Sequence, residues 1–524
     1  MSAQGQVRPG PGESRDVVVV GGGVGGLCAA AELGRAGLSV LLLESEPHLG
    51  GTASVYRRGG YAFPMGPLGF SSPRYARARL ARLGVDQGLR FRRVAYHVRA
   101  YGVETPLSLP SSRLVAELAQ RFPADKRGSD SFFTRMDGLA EALRSPSQPE
   151  NAAFLEVAQR IPSAEYLALT VADPRLQRIL GSMGTAPPSL GLPLLAAMWR
   201  LVSEVGIWYP VGGMSAFCER LGAAARDAGV EVRLRSGVAG IRVARGRVRG
   251  VELADGTMID TGAVVSDADY KTTVLRLLDG REVPGEWRAA VTAARQTASN
   301  LQVALGLDAS CCDLSAFDRC GRIIYRSPSV DVGKEGGVDW AAPGPLDPAF
   351  LARQELEVAL WSREDLDLAP PGGAVLIIRT AADHAHFARY RPAPRKRVPE
   401  YAVLKRRLAD ALLEEVERLV PGLRDAVSVV DVATPLTFEE RGGRAEGAVA
   451  GWSWARSEGG DWRPRELVRT PVEGLYLAGY QALSALFRGG VATALESGRR
   501  AARAVLVGAP PETRPPVPGM RETT

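Results

Sequence analysis

Glycines near the start of the chain, and an acidic residue that follows them, have types and spacing suited to binding a dinucleotide. Gly21, Gly23 and Gly26 form the pattern Gly-x-Gly-x-x-Gly directly after the apolar run Val17–Val20. In this pattern the first glycine allows a tight turn, the second lets a diphosphate approach the backbone, and the third lets a helix pack closely on the sheet. Glu44 lies 18 residues beyond Gly26, where a carboxylate can accept hydrogen bonds from both ribose hydroxyl groups.

The segments around these residues occur in the order that a strand–helix–strand unit requires. Residues 17–20 predict a strand buried on both faces of a parallel sheet, residues 27–36 a helix, and residues 39–43 a second strand ending at Glu44. Gly37 is expected to cap the helix at its C terminus. The helix would direct its N-terminal amides at the phosphates. A glycine-rich turn without a ligand is the alternative, but the complete order of elements favours nucleotide binding.

The residues after Glu44 indicate which nucleotide binds. They run through two adjacent glycines, a hairpin-like segment RRGGYAF and a further glycine, with the key positions at Gly50, Gly51, Thr52, Gly66 and Pro67. This continuation is typical of flavoproteins rather than of nicotinamide-dependent enzymes. The predicted cofactor is therefore FAD.

The far end of the chain supplies a second candidate contact with a flavin. Residues 474–479 predict a short buried strand that ends in Gly479, and the sequence FRGGV then opens a predicted helix at residues 492–506. The N terminus of such a helix can stabilise the negative charge that a flavin ring develops on reduction. A packing helix without a ligand is the alternative for this segment alone.

With both ends considered, the sequence resembles the flavoprotein family that includes phytoene desaturases, carotenoid isomerases and retinol saturases, within the wider amine-oxidase-like FAD superfamily. The resemblance covers roughly residues 16 to 507. It rests on four blocks: GGGVGGLCAAAELGRAGLSVLLLE; LGG followed by GYAFPMGP; WYPVGGMSAFCERL with AGVEVRLRSGVAGI and GAVVSDAD; and GLYLAGYQALSALFRGGVATALESGRRAA.

The resemblance also implies roles for single residues. It implies that Val238 meets the adenine through its backbone. Two positions depart from the common pattern: Thr52 stands where many desaturases have Arg, and Tyr480 stands where many relatives have an acid that contacts flavin phosphate or ribitol. The pattern and the resemblance together predict these cofactor-binding residues: Gly21, Gly23, Val24, Gly25, Gly26, Glu44, Gly50, Gly51, Thr52, Gly66, Pro67, Val238, Gly479, Tyr480, Gly489, Gly490 and Val491.

The predicted fold class is α/β, with a Rossmann-like FAD-binding domain and an interleaved α+β substrate-binding domain. The FAD-binding domain is expected to be discontinuous, over residues 16–75, 205–285 and 425–507. The substrate domain would comprise residues 76–204 and 286–424, with long strands at 301–307 and 374–380. Residues 1–15 and the Pro-rich residues 508–524 are expected to be disordered tails.

Four tryptophans are candidates for the wall of a substrate pocket between the two domains. Trp199 and Trp208 lie on a largely apolar segment, and Trp452 and Trp454 alternate as on one face of a strand. They could line a tunnel for a long apolar ligand. Ordinary core packing is the alternative for both pairs.

Charge and composition limit the classes of partner that the protein is expected to bind. The net charge is +7 and the pI about 9.2, but the Arg residues are scattered and aromatics make up only 6%, so no nucleic-acid partner is expected. No apolar run reaches about 18 residues, so a membrane-spanning helix is not expected. Without a signal-peptide pattern, the expected location is cytoplasmic, with peripheral contact with the inner face of the membrane as an option.

No metal site is predicted. The five cysteines include an adjacent pair, but a second pair of ligands is missing, so free thiols are expected. His384 and His386 are two residues apart and would lie on one side of a strand, again without further ligands. The acidic pairs at residues 414–415 and 439–440 are most simply solvated.

The leading hypothesis is FAD-dependent desaturation, saturation or isomerisation of an apolar polyene or isoprenoid, with hydride transfer at flavin N5. No catalytic side chain is predicted, because the flavin performs the difficult step. No second Gly-x-Gly-x-x-Gly follows a strand, so oxygen, a quinone or another soluble acceptor would reoxidise the flavin. The alternatives are a flavin oxidase of an amine or natural-product intermediate, and a flavin-free isoprenoid-binding protein of the GDP-dissociation-inhibitor type.

Overall fold

The computed structural model describes residues 13–66, 69–85, 87–181, 191–280, 283–328, 346–348, 351, 354–453, 466–483 and 490–508. The described strands are β1 (Glu13–Ser14), β2 (Val17–Val20), β3 (Val40–Leu43), β4 (Val55–Arg58), β5 (Tyr61–Pro64), β6 (Phe91–Val94), β7 (Tyr96–Ala100), β8 (Val103–Pro106), β9 (Ile207–Pro210), β10 (Glu231–Arg233), β11 (Val238–Ala244), β12 (Arg247–Leu253), β13 (Met258–Asp260), β14 (Val264–Ser266), β15 (Ser299–Asp308), β16 (Arg322–Tyr325), β17 (Leu356–Leu360), β18 (Gly373–Ala382), β19 (Val427–Ala433) and β20 (Leu475–Leu477).

The described α-helices are α1 (Val24–Arg35), α2 (Pro73–Arg82), α3 (Ser111–Arg121), α4 (Lys126–Ala142), α5 (Pro149–Gln159), α6 (Ser163–Thr170), α7 (Pro174–Gly181), α8 (Leu192–Arg200), α9 (Gly213–Asp227), α10 (Tyr270–Thr272), α11 (Gly285–Ala293), α12 (Ala385–Ala388), α13 (Pro399–Val416), α14 (Leu423–Ala426), α15 (Pro435–Gly442) and α16 (Val491–Val507). Within the described residues, no helix combines the length and apolar character needed to cross a membrane.

A five-stranded parallel sheet in the order β10-β3-β2-β14-β20 forms the nucleotide-binding fold predicted from the sequence. All four residues of β2 and of β3 are buried, which explains their unbroken apolar character. The helix α1 begins at Val24 rather than at residue 27, so that two glycines of the turn belong to its first turn. Gly37, with φ of +86°, ends the helix as expected.

The first and last helices pack directly against each other. A Cβ atom on Gly498 of α16 would lie 2.2 Å from the carbonyl oxygen of Gly25 in α1. Only a residue without a side chain allows this approach. The C-terminal segment therefore completes the same fold that the N-terminal segment begins.

A seven-stranded mixed sheet in the order β19-β15-β18-β17-β16-β7-β8 lies beside the parallel sheet. The two long strands expected at 301–307 and 374–380 are neighbours in it, as β15 and β18. β19 also belongs to this sheet, where it pairs with β15, although the expected boundary at residue 425 assigned it to the FAD-binding domain. The remaining boundaries between the two domains stay a prediction.

The two faces of the seven-stranded sheet have different partners. Leu301, Val303 and Leu305 of β15 share a core with Leu408 and Leu412 of α13. The residues that alternate with these along the strands lie on the other face of the sheet. Examples are Ala304 of β15 and Ile377 of β18, which share a core with the parallel sheet. This second face, the inner face, is turned toward the nucleotide-binding fold.

Candidate cofactor site

The carboxyl ends of the parallel strands meet at one edge of the sheet. The residues that follow β2, β3 and β14 directly are Gly21, Glu44 and Asp267, and Gly479 comes two residues after β20. In open α/β sheets, ligands bind at this edge. The candidate site is therefore built from four segments that are far apart in sequence.

The glycine turn leaves no space for side chains. A Cβ atom on Gly26 would lie 2.1 Å from the carbonyl oxygen of Gly21, and one on Gly25 would lie 2.5 Å from the backbone nitrogen of Gly479. Gly21 itself has φ of +98°. Gly23 is the N-cap of α1 and provides no side-chain cap. The first turn of α1 contains no acidic residue. The turn therefore consists of backbone without Cβ atoms at a helix N terminus, the kind of position that binds phosphates.

Glu44 lies where the sequence predicts the ribose-binding acid. Its Oε2 accepts a hydrogen bond of 2.7 Å from the N–H of Gly22. Its Oε1 accepts from the Glu46 N–H at 2.8 Å and from the Ser45 hydroxyl at 3.1 Å. These donors fix a buried carboxylate beside the glycine turn, in position to accept from a ribose.

The paired glycines after Glu44 fold back onto the turn. Gly50 donates its N–H to the Gly22 carbonyl at 2.8 Å, and a Cβ atom on Gly51 would lie 3.2 Å from Cα of Gly23. Gly66 reaches the same segment, since a Cβ atom on it would lie 2.5 Å from the carbonyl oxygen of Thr52. The structure therefore brings these four predicted residues together, while Pro67 lies outside the described residues.

Val238 begins β11, two residues after Ser236. The Ser236 N–H donates to the Glu44 carbonyl at 2.8 Å. This bond holds the start of β11 beside the predicted ribose acid. The placement agrees with the adenine contact that the resemblance implies for Val238, which stays a prediction.

The C-terminal candidates lie on the opposite side of the glycine turn. Gly479 contacts the turn through the approach to Gly25 described above, and the half-buried Tyr480 follows it. Gly490 caps α16 without a side-chain hydrogen bond, and the buried Val491 begins the helix. A second uncapped helix N terminus is thus present, while Gly489 lies outside the described residues.

Asp267 is a site residue that was not identified from the sequence. Its carboxyl lies beside the backbone N–H groups of Gly26 and Gly23, which favour its charged form. Burial raises the pKa of this carboxyl to about 7; the two amides act against the shift, and the negative charge of Glu44 acts with it. The signal available in the sequence was an acid directly after a strand of the parallel sheet.

Two of the four tryptophan candidates are core residues. Trp199 is buried, packs edge-on against Phe132 and Phe133 of α4, and donates its Nε1–H to the carbonyl of Leu180. Trp452 is buried as well, and donates to the Gln481 carbonyl at 3.0 Å. Both indoles are fully enclosed by protein atoms of neighbouring helices and loops. An apolar sequence pattern alone cannot show whether such neighbours cover an indole.

Trp208 differs from these two because it is only half-buried. Its indole N–H donates to the Val205 carbonyl at 2.9 Å, and its backbone pairs with Phe70 in both directions. This pairing places it near the segment that begins at Gly66. Trp454 lies outside the described residues.

Other polar clusters have structural roles. His384 precedes the short helix α12, so the two histidines do not share one side of a strand, and its Nε2 lies 2.8 Å from Glu439. Glu439 and the buried Glu415 are paired rather than solvated, the latter with the Tyr325 hydroxyl. All five cysteines are free. In the described ranges, no three His, Cys, Asp or Glu side chains form a potential metal site.

The geometry fits FAD. The glycine turn offers backbone without Cβ atoms to a diphosphate, with the Asp267 carboxyl beside it. A fixed carboxylate lies at the ribose position, and the N termini of α1 and α16 lack side-chain caps. The sequence profile of the family described as "Flavin containing amine oxidoreductase" matches residues 24–328 and 400–506. The chain belongs to this family. It is an enzyme, an FAD-dependent oxidoreductase, and the flavin-free binding-protein alternative is therefore wrong.

Relatives of this flavin-containing oxidoreductase are named as a prolycopene isomerase and a phytoene desaturase. It is 25% identical over 512 residues to prolycopene isomerase of Arabidopsis thaliana, covering 91% of the chain and 81% of the relative. It is 26% identical over 463 residues to the lycopene-forming phytoene desaturase of Pseudescherichia vulneris, covering 81% and 86%. Among solved structures, a putrescine oxidase variant matches with a TM-score of 0.60 and 17% identity, covering 95% of this chain and all of the other. This last similarity supports the fold alone.

Proposed function

We propose that this oxidoreductase desaturates, saturates or isomerises an apolar polyene or isoprenoid substrate of the carotenoid type. The observation that carries the proposal is the similarity to a carotenoid isomerase and a phytoene desaturase over more than four fifths of the chain. A relationship of this extent includes the segments predicted to form the substrate domain as well as the cofactor site.

In this proposal the protein binds and orients the cofactor, and the bound flavin supplies hydride transfer at N5. The glycine turn and Glu44 hold the nucleotide half. The N terminus of α16 stabilises negative charge near the other half. The inner face of the seven-stranded sheet shares its core with the nucleotide-binding fold, through apolar residues such as Ile324 and Val375.

A second candidate is oxidation of an amine or another polar substrate, and a specific observation favours it. A buried polar row crosses the inner face: Arg379 donates from Nε to Gln302 at 3.0 Å, and its NH1 lies 3.8 Å from Glu357. Trp361, at the end of the row, has no hydrogen-bond partner for Nε1 among the described residues. A hydrocarbon substrate cannot form hydrogen bonds with such groups, whereas a polar substrate can.

For desaturation, oxygen or a quinone is the acceptor we propose for the electrons. A quinone and a polyene both partition into membranes, so contact with an anionic inner membrane surface would supply both. The net charge of +7 supports this contact. Cosedimentation with vesicles of anionic lipid, and its absence with neutral vesicles, is the expected result; equal recovery with both would contradict the electrostatic contact.

The test of function uses the FAD-loaded protein under anaerobic conditions. Phytoene and prolycopene are presented in separate detergent dispersions, and extracted products are separated by chromatography while flavin absorbance is followed. Desaturation would bleach the flavin and yield a product with more conjugated double bonds. Isomerisation would give a product of unchanged mass without net bleaching. Flavin bleached by putrescine or cyclohexylamine but by no polyene would overturn the proposal in favour of the second candidate.

A further inference from the structure

Asp267 stands where the cofactor diphosphate needs to bind. Its carboxyl lies beside the amides of Gly26 and Gly23, the N-terminal amides of α1 that a diphosphate uses in this type of fold. A Cβ atom on Gly23 would lie 2.4 Å from Oδ2 of Asp267, and one on Gly25 would lie 2.6 Å from Oδ1. The carboxyl is therefore inserted into the glycine turn itself.

The surroundings of this carboxyl do not favour a negative charge. Three groups face it from neighbouring elements: Glu44 after β3, the Cys28 thiol on α1 and the Tyr480 hydroxyl after β20. Each of them interacts electrostatically with Asp267. Asp269 follows two residues later. Arg444 reaches only the ring of Tyr480, with 5.8 Å between Cζ and the ring centroid. Across the described ranges, Asp267 has no ion-pair partner.

A bound diphosphate would add two negative charges beside this group. An ionised carboxylate there would repel the cofactor and compete with it for the same amides. A protonated carboxyl would instead donate its O–H to a phosphate oxygen and keep one oxygen as an acceptor for an amide. Burial raises the pKa of Asp267 to about 7, so that protonation near neutral pH requires little change.

We propose that Asp267 is a cofactor-positioning residue that binds the FAD diphosphate in its protonated form, so that each FAD bound takes up one proton from solvent. The proton remains on the carboxyl, shared in a hydrogen bond with the phosphate, and no covalent bond changes. The substrate and the reaction play no part in this inference, so it stands or falls independently of the polyene proposal.

The first experiment measures FAD affinity as a function of pH with flavin-free, full-length protein. Quenching of flavin fluorescence gives the Kd from about pH 6 to about pH 9. Linkage of one proton makes the Kd rise by about tenfold per pH unit above the pKa of the free carboxyl. Asp267→Asn, which keeps a neutral hydrogen-bonding side chain, is expected to lose this slope and to bind FAD more tightly than the wild type at the highest pH.

Asp269→Asn is the matched control. It makes the same substitution two residues away, and Asn retains the ability to accept from the Thr272 N–H as Asp269 does. It should keep the wild-type pH slope. A flat profile for the wild type, or an equal slope for Asp267→Asn, would overturn the proposal.

A second measurement decides the matter even if Asp267→Asn fails to fold. Calorimetric titration of the wild type with FAD at about pH 8, in two buffers of different ionisation enthalpy, reports the protons taken up per FAD bound. An uptake approaching one proton supports the proposal. No difference between the two buffers overturns it, because the carboxyl would then bind FAD without protonation.

Discussion

The N–H of Gly22 donates to Oε2 of Glu44 across 2.7 Å, so the glycine turn and the predicted ribose acid hold each other in place. The turn that approaches the diphosphate and the carboxylate that approaches the ribose thus form one rigid unit. A change at Glu44 should affect both contacts.

Glu44→Ala is expected to raise the Kd for FAD by more than about tenfold, because hydrogen bonds to a charged group contribute about 1.5–3 kcal/mol. Equilibrium dialysis followed by flavin absorbance measures the occupancy. Glu46→Gln removes a neighbouring charge from an exposed position and should leave the Kd unchanged. Unchanged flavin occupancy in Glu44→Ala would refute the ribose contact.

Gly26→Ala should abolish FAD binding and lower the melting temperature. Its Cβ would meet the Gly21 carbonyl at 2.1 Å, so the turn and α1 would have to separate. Gly138→Ala is a matched control in α4, where nothing lies within 4 Å of the added atom; it should retain FAD and gain up to about 1 kcal/mol of stability. Comparable losses in both variants would mean that helical glycines matter for reasons other than close packing.

Glu496→Gln tests a pH-dependent tie between α2 and α16. Burial raises the pKa of Glu496, but hydrogen bonds from Arg499, Tyr75 and Arg500 outweigh it and lower the pKa to about 2. A lowered pKa means that the carboxylate stabilises the fold above its unfolded pKa of about 4.3 and loses this contribution as the pH falls toward 2. The variant should lose about 1–3 kcal/mol at neutral pH.

Thermal melts of the wild type and Glu496→Gln from about pH 7 down to about pH 3 provide the check, with the difference in melting temperature shrinking on acidification. Glu165→Gln, at an exposed helical position, should show a small difference at every pH. A constant gap between the wild type and Glu496→Gln would contradict the assigned pKa.

Glu364→Gln should destabilise the seven-stranded sheet by about 3–5 kcal/mol, because it leaves the guanidinium of Arg322 uncompensated. The NH1–Oε2 distance is 2.8 Å, and the two side chains are 0% and 3% exposed. Denaturant titrations give the loss. The exposed pair of Lys126 and Asp130, 3.0 Å apart, is the control, and Asp130→Asn should cost less than about 1 kcal/mol. Equal losses would argue against burial as the cause.

The parts of the fold that could be predicted from sequence are those determined by near neighbours. The strand Val17–Val20, the turn at Gly21 and the acid at Glu44 lie within one short segment, and each carries its own signal of burial, backbone freedom or charge. The start of α1 was predicted three residues late, because glycine is unfavourable inside helices and its role in close packing is visible only in three dimensions.

The parts that were missed depend on distant partners. Asp267 joins the site only because β14 lies beside β2, and Arg322 meets Glu364 only through the path of the chain after β17. Trp199 and Trp452 are apolar in any setting, so sequence could not distinguish a pocket wall from a core. Glu439 was expected in solvent because its partners His384 and Arg391 lie about 50 residues earlier in the chain.

The position of β14 between β2 and β20 has a consequence for biogenesis. During translation Val264 can pair with Val18 long before Leu475 leaves the ribosome. Until then an apolar strand edge stays open, and the helix that packs on Gly25 has not been made. We expect the nascent polypeptide to depend on chaperones through this interval and to acquire its yellow colour only after release.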